Sequence, residues 1–201
     1  MTVSWTELGL ILLMCWLTCA QFVLCLSAVG KWCGLSLKEC QIGIGPLLRR
    51  IGWLGGTLDF RLFPFASSVG FWGQDELDQE SGWSGLEIFD LPRWQQAFIY
   101  LSGPIVHLLL GAAILLLFPT RAGTLVAFIG FWMGFTCLLP LPGTCGWHAL
   151  RALFWRPTTR PHVGAMLLTI LLLWILNGSA LYVLLFRSEW LLSWAQLIRP
   201  F

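Results

Sequence analysis

The chain has 201 residues, 57% of them hydrophobic and 11% charged, with a formal net charge of +2 and a mean hydropathy of +0.77. A soluble domain carries roughly 25% charged residues, so this composition excludes one. The few basic residues are spread along the edges of apolar runs and form no stripe, which excludes a nucleic-acid partner.

What remains is a membrane protein whose elements can be taken in chain order. Crossing a hydrocarbon core takes about 20 largely apolar residues. The first such run is Trp5 to Val29. Met1 to Leu10 carries no Lys or Arg and no short apolar core ends in a cleavage site, so the run is expected to be a retained span and not a signal peptide.

The connection over 30–93 is no ordinary loop. Lys38 to Gly45, Leu47 to Trp53, Leu58 to Pro64 and Ser67 to Trp72 are short runs rich in Ile, Leu, Phe and Trp, separated by Gly-Pro, Gly-Gly and Pro-Phe-Ala-Ser. That punctuation predicts three or four short strands within a β-rich insertion over about 36–73. The apolar excess of FRLFPFASSVGFW, residues 60–72, predicts that the sheet lies against or dips into the bilayer. QDELDQESG, residues 74–82, reads as a solvated acidic loop.

Further spans are expected over 94–118, 123–143 and 163–186. The fold class is therefore an α-helical membrane protein, a single domain over 1–201, with four transmembrane helices and a membrane-associated β segment between the first and second. Lys31, Lys38, Arg49, Arg50, Arg61, Arg93, Arg151, Arg156 and Arg160, nine of the twelve basic residues, then share one side. The positive-inside rule makes that side cytoplasmic, with both termini outside. Trp5, Trp32, Trp94, Trp147, Trp155, Trp190 and Trp194 stand at or near span ends, where an amphipathic ring prefers to sit. The seven cysteines are an odd number, several lie within spans, and they give no disulfide framework.

Four blocks in register resemble the site-2 protease family, the intramembrane zinc metalloproteases. KWCGLSLKECQIGIGP (31–46) is similar to the family's stretch ending in IGFGP, and RLFPFASSVGFWG (61–73) to its LIPLGGYVKM strand. PRWQQAFIYLSGPIVHLLLG (92–111) resembles the segment that holds GPxxN. FIGFWMGF (128–135) followed by CLLPLPGTCGWHAL (137–150) resembles NLLPIPxLDGGH. The likeness runs from about residue 15 to 155, and the short 119–122 connection leaves no room for the PDZ domain that some members insert there.

The resemblance implies a zinc hydrolase with three protein ligands, an open position for water and a general base. In the family HExxH supplies two histidines and the base, and the LDG aspartate supplies the third ligand. Counting back without gaps from Gly34, the first His falls on Phe22, the base on Val23, the second His on Leu26, and the aspartate on Cys145. Phe, Val and Leu offer neither a lone pair for zinc nor a proton acceptor. Cys15 and Cys19 keep the i, i+4 spacing but sit seven residues upstream, roughly 10 Å along the helix, too far to serve the same metal. Glu7 is the first span's acid and is farther still, so it cannot replace the base.

Two alternatives stay open. Cys25, His107, Cys137 and Cys145 lie on elements that converge if the fold is kept, and could form a rewired zinc site or a thiol–imidazole pair. Otherwise these cysteines are buried hydrophobes, and His107, at the Asn position of GPxxN, is a neutral histidine satisfied by a backbone carbonyl or by Ser102. His148 and His162 read as interfacial.

The expected function is that of an inactive homologue, with no cofactor, or zinc if the site is rewired into an active intramembrane protease. Its partners would be membrane lipids and transmembrane segments of other membrane proteins, held by strand edges and by Phe60, Leu62, Phe63, Phe65, Val69 and Phe71. The expected setting is a bacterial cytoplasmic membrane.

Overall fold

The computed structural model describes residues 5–72, 88–118, 120–154 and 163–198. The acidic loop over 74–82 lies outside them. Six helices and two strands follow in order: α1 (Trp5–Trp32), β1 (Leu37–Trp53), β2 (Gly56–Phe71), α2 (Arg93–Leu117), α3 (Arg121–Leu138), α4 (Cys145–Phe154), α5 (Val163–Phe186) and α6 (Ser188–Ile198). Four stretches are long and apolar enough to cross a membrane: Leu12–Trp32, Arg93–Leu117, Arg121–Leu138 and Val163–Leu184. The protein is an integral membrane protein.

The third span stops at Leu138, short of the expected 143. Pro140 and Pro142 cannot donate to a helical ladder and push the residues before them toward extended backbone. The chain therefore turns and restarts as α4. Thr120 caps α3 at its other end, its hydroxyl accepting the Gly123 N–H at 3.0 Å.

Instead of several short strands, the insertion forms two long bent ones. A two-residue turn joins them, with φ of 48° at Leu54 and 90° at Gly55, the paired positive φ of a tight hairpin. Cys40 lies opposite Leu58 on one side and Val69 on the other, so the bent strands make a sheet three strands wide at that point. The bend passes through Gly43 at φ 88°. A Cβ there would stand 2.8 Å from the carbonyl oxygens of both Arg61 and Phe63, so only glycine lets the strands cross so closely.

The sheet packs on α1. Cys19, Phe22, Val23, Leu26, Ser27 and Gly30 form its buried stripe, at the i, i+3, i+4, i+7 spacing of one helical face. Cys19 donates its S–H to the Pro64 carbonyl at 3.5 Å, and the Trp53 indole N–H reaches the Ser27 hydroxyl at 3.4 Å. On the outer part of the sheet Arg50 grips Asp59 with two bonds of 2.6 and 2.8 Å. That bonding from Arg50 holds the Asp59 carboxyl below its usual range although burial opposes it.

α5 is the most lipid-facing span. Leu167, Leu168, Ile170, Leu171, Trp174 and Ile175 are all exposed, and the Trp132 indole N–H donates to Asn177 Oδ1 at 3.2 Å to tie it to α3.

Candidate functional site

The stripe of α1 brings Phe22, Val23 and Leu26 into one buried cluster with Cys19, Leu35, Leu37, Cys40, Ile42, Leu58, Leu91 and Ile99. Cys137, from the end of α3, and Cys145, from the start of α4, pack against it. The four positions that the resemblance gives to the metal ligands and the base are thus neighbours in space. Their neighbours within that cluster are aliphatic and aromatic side chains and cysteines.

Phe22 is the centre of this arrangement. Its ring stacks on His107 with centroids 6.0 Å apart and planes 14° from parallel. It also fills the room beside Gly103, where a Cβ would come within 2.6 Å of its Cδ2. Val23 is completely buried.

His107 does not find the partner expected of it. Ser102 donates to the Ile99 carbonyl of its own helix at 2.7 Å. The imidazole instead reaches across to α1, where Nδ1 meets Gln21 Oε1 at 2.7 Å. With that oxygen as acceptor, Nδ1 carries the proton and Nε2 keeps a lone pair. His107 Nε2 and Gln21 Nε2 are buried with no partner among the described residues. Gln21 went unnoticed in the sequence, although a lone amide in the middle of an apolar span was the signal available.

The pair should show the asymmetry of buried hydrogen bonds. A His107→Leu variant strands the second polar atom of Gln21 and is expected to lose about 1–3 kcal/mol. The Gln21→Leu/His107→Leu double variant removes all the polar atoms at once and should recover most of that loss. Unfolding of the single and double variants in mixed micelles measures the coupling, and additive losses would show that the two side chains do not act as a pair.

The alternative cysteine sets do not assemble. Cys19 is buried in the first cluster, while Cys15, one turn earlier on α1, packs at the edge of a second cluster with Leu125, Ile129 and Leu184. Cys25 is half-buried and off the α1 stripe. Among the described residues no three His, Cys, Asp or Glu side chains gather as a metal site, so Cys25, His107, Cys137 and Cys145 are not brought together as one. Cys145 lies beyond the end of α3, and burial, with Cys137 nearby, pushes its thiol up to about 12. Burial of this kind favours the thiol over the nucleophilic thiolate.

The six candidate peptide-binding residues divide. Phe60, Val69 and Phe71 are half-buried against the core cluster, Phe60 stacking on Trp16 at 6.0 Å. Leu62 and Phe63 are 45% and 46% exposed, close to the exposed Leu47 and Leu48 of β1. The side chain of Phe65 lies outside the described residues.

Residues 27–124 match the family model of peptidase family M50. The matched stretch, just under half of the chain, begins directly after Leu26 and ends before α3 is complete, so it is narrower than the likeness over 15–155. No curated protein matches the chain.

Proposed function

Since the chain belongs to the site-2 protease family, peptidase family M50, we propose that it is a pseudoprotease of that family, one that binds segments of other membrane proteins without hydrolysing them. Its setting is a bacterial cytoplasmic membrane, the basic end of the bundle facing the cytoplasm and both termini outside. The observation that carries the reading is the closed apolar packing of Phe22, Val23 and Leu26, with Cys145 against them. A zinc hydrolase needs lone pairs, an open coordination position and a base at that place. Phe22, Val23 and Leu26 supply none of them.

What such a protein keeps is the frame around the site. The bent strands next to α1 offer backbone edges to an extended chain, and the exposed Leu62 and Phe63 offer apolar contacts beside them. Phe60, Val69 and Phe71 support that frame from within.

The test places a photo-crosslinking residue at Leu62 or Phe63 and identifies what is trapped in membranes. Peptides of other membrane proteins are expected; recovery of lipid alone would count against the binding role. Metal analysis of the purified chain should find no stoichiometric zinc. Zinc that is present and disappears in Cys145→Ser or His107→Ala would overturn the inactive reading.

A further inference from the structure

The strongest unassigned feature is the depth at which the sheet carries its charged side chains. Four contacts fix the sheet along α1. The Phe71 ring lies against Gly30. The Trp53 indole N–H reaches the Ser27 hydroxyl, the Cys19 S–H donates to the Pro64 carbonyl, and Phe60 stacks on Trp16. All four α1 residues lie inside the span Leu12–Trp32. From Gly30 to Trp16 the helix rises about 21 Å, out of a hydrocarbon core about 30 Å thick. The strands therefore run beside α1 through most of the membrane's depth.

The charged residues stand well down that run. Phe60, at the level of Trp16, is flanked in sequence by Asp59 and Arg61 and lies opposite Arg49, while Asp59 lies opposite Arg50. Trp53 is at the level of Ser27, and Arg50, three residues away, lies about 10 Å deeper along the strand. That level is close to the middle of the span.

Bonds lock the cluster there. Arg50 holds Asp59 at 2.6 and 2.8 Å. Arg61 Nη1 donates to the Gly45 carbonyl at 2.9 Å, and its Nη2 stands 3.8 Å from Asp59 Oδ2. A guanidinium held in this way cannot reach out to the headgroups as a free arginine side chain does. Yet the Arg50 side chain is 58% exposed and that of Arg61 31%. Lipid does not solvate a charged group at this depth, and strand backbone persists inside a membrane only against protein or water.

We propose that this face of the sheet lines a water-filled recess that reaches the middle of the membrane and is held open by Arg50, Asp59 and Arg61. The recess deepens the binding reading, because an extended chain laid on the exposed edge of β1 would keep its own outer backbone edge in water. It stands whether or not such a chain binds, since its test reads water alone.

Gly52 is the position to probe. It shares the strand face of Arg50 at i, i+2, it is exposed, and a Cβ there meets nothing within 4 Å. The full chain carrying Gly52→Cys is reconstituted in phosphatidylcholine vesicles and treated with a charged, membrane-impermeant maleimide, and the modified peptide is followed by mass spectrometry. Leu171→Cys, exposed on the lipid-facing α5 eight residues inside its span, is the lipid control. Arg187→Cys, exposed beyond the end of that span, is the aqueous one. Gly52→Cys is expected to react within about tenfold of the Arg187→Cys rate and Leu171→Cys roughly a hundred times more slowly, because the reactive thiolate forms only in water. Replacing Arg50, Asp59 and Arg61 together by leucine should bring Gly52→Cys down to the Leu171→Cys rate. Thermal unfolding shows whether that variant folds; should it not, the comparison of Gly52→Cys with Leu171→Cys decides the matter. A Gly52→Cys thiol as slow as Leu171→Cys, or an unchanged rate in the folded triple-leucine variant, overturns the proposal.

Discussion

A Val23→Glu variant is expected to lose about 3–5 kcal/mol of stability, the cost of a buried charge left without a partner. Val23 has no exposure at all, and its cluster is built from aliphatic and aromatic side chains and cysteines. The neighbouring His107 and Gln21 bond each other at 2.7 Å and bring no lysine or arginine to pair with a carboxylate. A glutamate at this place would stay ionised only at a large desolvation cost, or take up a proton and remain an unsatisfied acid. Adding Phe22→His, Leu26→His and Cys145→Asp recreates the ligand set that the family resemblance assigns to these positions. That quadruple variant should regain stability only with zinc, by about 2.7 kcal/mol when free metal is a hundred times the dissociation constant. Unfolding midpoints with and without zinc and a chelator measure both effects. A Val23→Glu variant as stable as the parent would mean that the position faces water, and the closed-core basis of the pseudoprotease reading would fall with it.

The parts of the fold that were legible in the sequence are those set by hydrophobic length and period. Four spans follow from runs that have no other way to bury their apolar surface. The inward stripe of α1 follows from its spacing once Phe22 and Leu26 are placed together. The bent strands were less legible, because Gly43 and Pro46 are turn signals in sequence whether a strand stops there or only bends. α4 was hidden for a related reason: Pro140, Pro142 and Gly143 read as the end of a span, and ten residues are too few to announce a helix by period alone. Gln21 was missed because a hydrogen bond between two spans depends on their rotation, which neither span encodes by itself.

The junction of α3 with α4 should make Gly146→Ala one of the most damaging single-methyl additions in the chain. A Cβ at Gly146 would run into the Leu138 carbonyl oxygen, with the Leu138 carbonyl carbon 2.6 Å away and the Leu139 carbonyl oxygen at 2.9 Å. All of these are backbone atoms, which cannot rotate aside as a side chain would. Thr144 pins the same turn, its hydroxyl 2.8 Å from the Leu141 carbonyl and 3.3 Å from the Trp147 N–H that it accepts. The expected loss is about 3 kcal/mol, at the upper end of ordinary overpacking. Gly164→Ala, where nothing lies within 4 Å, serves as the control and should gain stability by up to about 1 kcal/mol, the helix-propensity difference. Denaturant unfolding of the two variants beside the parent gives the comparison. A variant that unfolds like the parent would show that α4 is not held by the end of α3.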